Sequence, residues 1–382
     1  MTQSGSFRYA NPRTIHWGAG SAWQHLEAEL DRLGARRAFV VSTRSVAAHP
    51  QLGDRLRRRL GKRCVGMYAG IGQHAPAEQV AEAARAAHAV GPEVLISFGG
   101  GSPIDATKTV AFALATGLDV AQPDAASIGR GLDPNTPMLP HLCIPTTLSA
   151  AELSGSAGFS SPGEREKVGV RAESIVPAVV FYDAELTVPT PLQLWLSTGI
   201  RAVDHAVESI LAPGNHPFSD TLALEGLRRL HSGLLATHAN PSDLVARTES
   251  QLGTWFSFTL PGPAAAGLSH TLGKRIGSRH GIPHGVTSCI LLPHVMRFLA
   301  PRTAPAQARI AEAFGVEARG MTVEQAAARA ADAVAELIAR LELPQHLAAY
   351  GLTEADLQAA AAPVASRDQP LERLVEIYRA AL

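Results

Sequence analysis

Three consecutive glycines, Gly99-Gly100-Gly101, follow the apolar run Val94-Leu95-Ile96-Ser97-Phe98 and lead through Ser102, Pro103, Ile104 and Asp105 into an alanine-rich stretch. Glycine lets a backbone approach a pyrophosphate closely, and the free N–H groups of a following helix attract the anion. A strand-to-helix turn with no ligand has the same sequence, so the triplet alone leaves both readings open. Farther along, Arg201 and His205 stand four residues apart, as do His270 and Lys274, while His284 lies in Ile282-Pro283-His284-Gly285. Residues four apart share one face of a helix. Three histidines in apolar surroundings can hold a metal or a proton; arginine or lysine beside them can bind an anion or polarise a carbonyl.

Different elements carry the two groups. The first half alternates strand-like runs with helical ones. Residues 37–42 read as a buried strand, preceded by an amphipathic segment from Ala22 to Leu33 that Gly34 closes. A helix over 77–90 leads into a strand at 94–98, and two further strands are expected at 142–145 and 178–183. Such alternation predicts a largely parallel α/β sheet with ligands at the strand C-termini. After Thr187-Val188-Pro189-Thr190-Pro191 the periodicity turns helical, with breaks expected at Pro213-Gly214, Pro261-Gly262-Pro263, Gly281-Ile282-Pro283 and Pro301. The expected division is an α/β dinucleotide-binding domain over 1–188 and an all-helical domain over 189–382, with a ligand cleft between them.

Composition excludes several classes. A chain of 382 residues exceeds one ordinary core, and with 46% hydrophobic and 18% charged residues it reads as globular. Formal charge is zero, and the basic run Arg55-Leu56-Arg57-Arg58-Arg59 is one short helix face, so no nucleic-acid partner is expected. Cys64, Cys143 and Cys289 are sparse and form no Cys-x-x-Cys pair, which argues for a reducing compartment. The polar stretch Met1 to Arg13 has no signal-peptide core and no apolar run reaches about 18 residues, so a cytoplasmic location without membrane contact is expected.

The order Gly99-Gly100-Gly101-Ser102, Pro145-Thr146-Thr147 with Glu152, His205-Ala206-Val207-Glu208, His270, Pro283-His284-Gly285 and Leu292-Pro293-His294 resembles the iron-containing alcohol dehydrogenase superfamily, from about Phe7 to Leu352. Within it the chain looks most like the maleylacetate reductases, through the spacing of Pro145-Thr146-Thr147-Leu148-Ser149-Ala150-Ala151-Glu152 and the turn Gln73-His74-Ala75-Pro76. The resemblance implies an N-terminal dinucleotide-binding domain, a helical C-terminal domain and hydride transfer between them. It places Asp105, Thr146 and Thr147 at the cofactor beside Gly99 to Ser102. The strand ending Ser42-Thr43-Arg44 carries no acidic side chain to repel a 2′-phosphate. Thr43 and Arg44 are therefore expected at the adenosine end, with NAD or NADP as cofactor.

Two positions depart from the superfamily. His205, His270 and His284 match its metal-binding histidines, but Arg201 stands where the ligating aspartate is expected. A guanidinium carries a permanent charge and no lone pair for a metal. Asp204 lies about 100° around the helix from His205, and is placed instead to pair with Arg201 across the surface. Lys274 replaces another histidine. No metal is expected. The reading is a metal-independent NAD(P)H-dependent reductase of a small carboxylated carbonyl or enoate, with Arg201, His205, His270, Lys274 and His284 as catalytic candidates. The partner expected is a small anionic substrate; a homodimer is one assembly the chain allows. A dehydroquinate-synthase-like lyase using bound NAD, and a non-catalytic dinucleotide or acidic-metabolite binder, are the alternatives.

Overall fold

The computed structural model describes residues 11–121, 136–160, 167–213, 216–258 and 267–382. Its contacts divide the chain into two compact units between Thr190 and Pro191.

The first unit is built on a six-stranded parallel sheet of order β1-β8-β5-β4-β2-β3. Its strands are β1 (Thr14–Trp17), β2 (Ala38–Ser42), β3 (Cys64–Tyr68), β4 (Val94–Gly99), β5 (His141–Pro145) and β8 (Val179–Tyr182). The intervening β6 (Ser156–Ser160) and β7 (Lys167–Arg171) form a separate antiparallel ribbon. Helices α1 (Ser21–Arg32), α2 (Arg44–Ala47), α3 (Arg55–Leu60), α4 (Ala77–Val90) and α5 (Gly101–Thr116) complete the unit. Alternation along each strand feeds two cores. Phe39, Val41 and Leu95 pack with Val80, Val110 and Phe112, whereas Val40, Ile96, Ile144 and Phe181 pack with Leu26 and Leu30. Both faces of a parallel sheet must be covered, which is why its strands are apolar throughout.

Strand order locates the ligand edge. The chain leaves β2 toward β3, and leaves β4 in the opposite direction toward β5. Adjacent strands whose connections diverge open a crevice at their C-terminal ends. Here that crevice lies between Thr43-Arg44, after β2, and the glycines after β4.

The second unit is helical: α6 (Leu192–Leu211), α7 (Pro217–Ala239), α8 (Leu244–Ser257), α9 (Leu268–His280), α10 (His284–Ala313), α11 (Val323–Arg340), α12 (Glu354–Ala361) and α13 (Leu371–Ala380). The chain does break between α6 and α7 and between α9 and α10. The expected break at Pro261-Gly262-Pro263 lies outside the described residues. The expected break at Pro301 is wrong: α10 runs for 30 residues with Pro293, Pro301 and Pro305 inside it. A proline removes a helical donor, yet the helix continues through all three; in the same stretch buried Gln307 donates to the Met296 carbonyl at 2.8 Å. No described helix is long and apolar enough to cross a membrane.

Candidate active site

At the end of β4 the backbone turns sharply. Gly99 has φ +144°, a conformation that side chains disfavour, and a Cβ there would lie 2.7 Å from Pro103 Cγ. Gly100 is the N-cap of α5, and no side chain caps that 16-residue helix. Its first N–H groups are therefore an anion site of the kind a pyrophosphate uses. A Cβ on Gly100 would meet Thr147 Cγ2 at 3.1 Å and Oγ1 at 3.2 Å, so Thr147 closes the other side of the cradle. Thr147 is buried, yet its Oγ1 makes no hydrogen bond. Buried hydroxyls are ordinarily satisfied, and this orphan beside an uncapped helix fits a bound dinucleotide. Thr146 fixes the neighbouring strand ends: its N–H donates to the Gly99 carbonyl at 2.9 Å, and its own carbonyl accepts from Thr190 Oγ1 at 2.8 Å.

Other expected cofactor residues have structural partners. Ser102 Oγ accepts from the His74 N–H at 3.1 Å, pinning the Gln73-His74-Ala75-Pro76 turn to the first turn of α5. Thr43 caps α2 through its hydroxyl, and Asp105 accepts from the Gly158 N–H at 3.3 Å. Arg44 is exposed just beyond β2 and forms no ion pair among the described residues.

In the helical unit, α6 presents Arg201, Asp204 and Glu208 along one face. Arg201 Nη1 donates to Asp204 Oδ2 at 3.0 Å and to Ser288 Oγ at 2.9 Å, while Nη2 lies 3.2 Å from His270 Nε2. Asp204 Oδ2 also accepts from Ser288 Oγ at 2.7 Å and Ser269 Oγ at 3.1 Å. The Arg201–Asp204 pair is not on the surface, as the spacing had suggested, but buried: the two side chains are 9% and 0% exposed. Glu208 accepts from the Gly267 N–H at 3.1 Å and the His270 N–H at 2.9 Å. Burial, and then the Asp204 charge, push the Glu208 carboxyl well above its usual range. Burial raises the Asp204 carboxyl as well, with Arg201 and the two serines opposing that rise.

Guanidinium can only donate, so His270 Nε2 is an acceptor and its proton sits on Nδ1. His205 is buried with its ring edge-on to Phe258 at 5.0 Å and 6.2 Å from the His270 ring, centroid to centroid. Burial and the Arg201 charge hold its imidazole well below the usual histidine pKa, and its Nδ1 makes no hydrogen bond. His284 opens α10, partly buried. Lys274 is exposed one turn beyond His270, and desolvation lowers its ammonium pKa. These residues do not fit a metal ion. The His270 lone pair that would face a cation is taken by Arg201, and no three His, Cys, Asp or Glu side chains converge among the described residues.

Sequence reasoning missed the interior support of the first unit. Lys108 is fully buried, and its Nζ donates to the carbonyls of Ala151, Ser154 at 2.6 Å and Ser156 at 3.0 Å. It thereby ties α5 to the loop that follows Thr146 and Thr147. Glu152, in that loop, accepts from Tyr182 Oη at 2.9 Å. Desolvation lowers the Lys108 pKa and raises that of Glu152. A lysine inside an apolar helical period was the available signal.

Residues 12–184 match the family described as iron-containing alcohol dehydrogenase, and residues 195–378 its C-terminal region. A maleylacetate reductase from Burkholderia cepacia is 32% identical over 367 residues, covering 96% of this chain and 92% of that protein. One from Rhizobium sp. strain MTP-10005 is 31% identical over 352 residues, or 92% and 88%. The crystal structure of maleylacetate reductase from Agrobacterium tumefaciens superposes with a TM-score of 0.82 at 27% identity, covering 100% of this chain and 99% of the other.

Proposed function

This chain belongs to the iron-containing alcohol dehydrogenase family and is an NAD(P)-dependent oxidoreductase, and we propose that it reduces a small carboxylated carbonyl or enoate, similar to maleylacetate, without a catalytic metal. The observation that carries the metal-independent reading is the Arg201 guanidinium seated on His270 Nε2 and anchored by Asp204. A guanidinium there occupies the lone pair a metal ion would need, and its fixed N–H groups supply the polarisation that a Lewis acid would.

Bound NAD(P)H supplies the hydride. The uncapped start of α5 at Gly100-Gly101, with Thr147 Oγ1, holds the dinucleotide phosphates. Arg201 turns Nη1 toward Asp204 and Ser288, and Nη2 toward His270. Its Nε–H and second Nη2–H make no hydrogen bond among the described residues, and these two donors polarise the substrate oxygen as negative charge develops on it. With Nη1 engaged, they are also the edge left for a substrate carboxylate. His270 cannot release a proton from Nε2, because that nitrogen already accepts. Lys274, an ammonium with a lowered pKa, delivers the proton to the reduced product.

The test is oxidation of NADH and NADPH with maleylacetate, alongside elemental analysis of the purified protein and chelator treatment. Turnover that survives chelation in metal-free protein is expected. Stoichiometric iron or zinc, with activity lost on chelation and regained on metal addition, overturns the proposal.

A further inference from the structure

Four polar bonds join α6 to the first turn of α9. Arg201 reaches His270 Nε2, Asp204 takes Ser269 Oγ, and Glu208 takes the backbone N–H groups of Gly267 and His270. Arg201, Asp204 and Glu208 stand at i, i+3 and i+7, which aligns them along one side of the helix. The bonds from Glu208 replace a missing cap: the N-cap of α9 is Gly267, which has no side chain to bond the first N–H groups. Contact there is close. A Cβ on Gly267 would lie 2.4 Å from Glu208 Cδ, so the glycine is what lets the carboxyl reach both amides.

We propose that Glu208 is a positioning residue: it caps α9 from the neighbouring helix and so holds the His270 ring where Nε2 accepts from Arg201 and Nδ1 keeps the proton. Glu208 touches neither substrate nor cofactor in this reading. It acts through the backbone of His270, and through His270 on the Arg201 donors. Displacing the turn by about 1 Å would lengthen the 3.2 Å Arg201–His270 contact beyond hydrogen-bond range.

The kinetic part of this inference rests on the proposed reduction; the tautomer part does not. Glu208→Gln keeps the shape but turns one acceptor into a donor facing a backbone N–H. Gly267→Ala keeps the carboxyl and drives it away. In 15N-histidine-labelled protein, wild-type His270 should carry its proton on Nδ1, and both variants should shift the population toward Nε2–H. With maleylacetate, kcat should fall about 100-fold in each, as for a misplaced catalytic contact, while NADH affinity by fluorescence is unchanged. In Gly267→Ala/Glu208→Ala the clash is gone, so the double variant should be no worse than Gly267→Ala alone. A wild-type His270 protonated on Nε2 overturns the inference whether or not the variants fold. Variants that lose thermal stability but keep the tautomer and kcat overturn it equally, since Glu208 would then be structural only. Absence of maleylacetate turnover in wild type, with the tautomer shift intact, sinks the proposed reaction and leaves the positioning role standing.

Discussion

Asp204 is the counter-ion of a buried guanidinium, and replacing it by asparagine tests that directly. The carboxylate is fully buried and takes three hydrogen bonds on Oδ2, while Oδ1 takes none. Asparagine can offer its oxygen to the same three donors, but its NH2 then points where nothing accepts, and Arg201 loses its compensating charge. Removing one partner of a buried pair costs about 3–5 kcal/mol, and stranding a buried amide about 1–3 kcal/mol. Both figures count part of the same desolvation, so about 4 kcal/mol is expected for Asp204→Asn, read from equilibrium urea unfolding. Arg201→Met should cost less at low pH than at high pH, because the Asp204 carboxyl, already raised by burial, can then discard its charge by protonation. Replacing both residues with Arg201→Met/Asp204→Leu should return most of the loss, since an apolar pair of similar volume needs no desolvation. An Asp204→Asn variant within about 0.5 kcal/mol of wild type, or a double variant as unstable as the sum of the singles, refutes the buried-pair argument.

Three other outcomes are expected. Gly99→Ala combines a φ of +144° with a Cβ 2.7 Å from Pro103 Cγ, so it should cost about 1–3 kcal/mol of stability and weaken NADH binding by calorimetry; unchanged values on both counts would contradict the strained turn. Arg44→Ala should raise the KM for NADPH about tenfold, the scale of one lost phosphate contact, and leave that for NADH unaltered; equal effects on both cofactors would remove Arg44 from the 2′-phosphate. His141, buried and bonded to Ser97 Oγ at 2.7 Å, has its pKa pushed down to about 3 by burial and by Lys108. It is neutral in the fold, so its contribution is complete above about pH 6.5 and is lost as the pH falls from there toward 3, by at most about 5 kcal/mol. His141→Gln should flatten urea midpoints between pH 7 and 4.5, and an unchanged slope would show that other groups govern acid unfolding.

Much of the fold was legible because burial wrote itself into periodicity. The runs at 38–42, 94–99, 141–145 and 179–182 are apolar on both faces, as central parallel strands must be, and 77–90 carries its alanines at helical spacing. Two edge strands were not foreseen. β1 and β3 each pair on one side, and their residues are half-buried or exposed; β1 mixes Thr14 and His16 with its apolar residues, and Gly66 interrupts β3. Pro301 misled for a related reason. Proline's local preference ends a helix, but packing along α11, which comes from later in the chain, outweighs it.

The site was legible as residue types at helical spacing and illegible as a balance of charge. Arg201 and Asp204 at i, i+3 would carry the same spacing on a wet surface, where such a pair contributes little, or inside the protein, where it decides the electrostatics. Ser269 and Ser288, which settle the matter by completing the shell of Asp204, lie more than 60 residues away and carry no local signal. From the sequence, Arg201 and Lys274 stand as two cations aimed at an anion. In the folded protein Lys274 is exposed, and Arg201 has its charge cancelled by a carboxylate at 3.0 Å. What remains to Arg201 is direction rather than net charge: two N–H groups held by a rigid set of partners. Fixed dipoles of that kind stabilise a developing oxyanion without reorganising. A guanidinium immobilised by Asp204, Ser288 and His270 can therefore favour the transition state of a carbonyl reduction more than it favours the resting substrate anion.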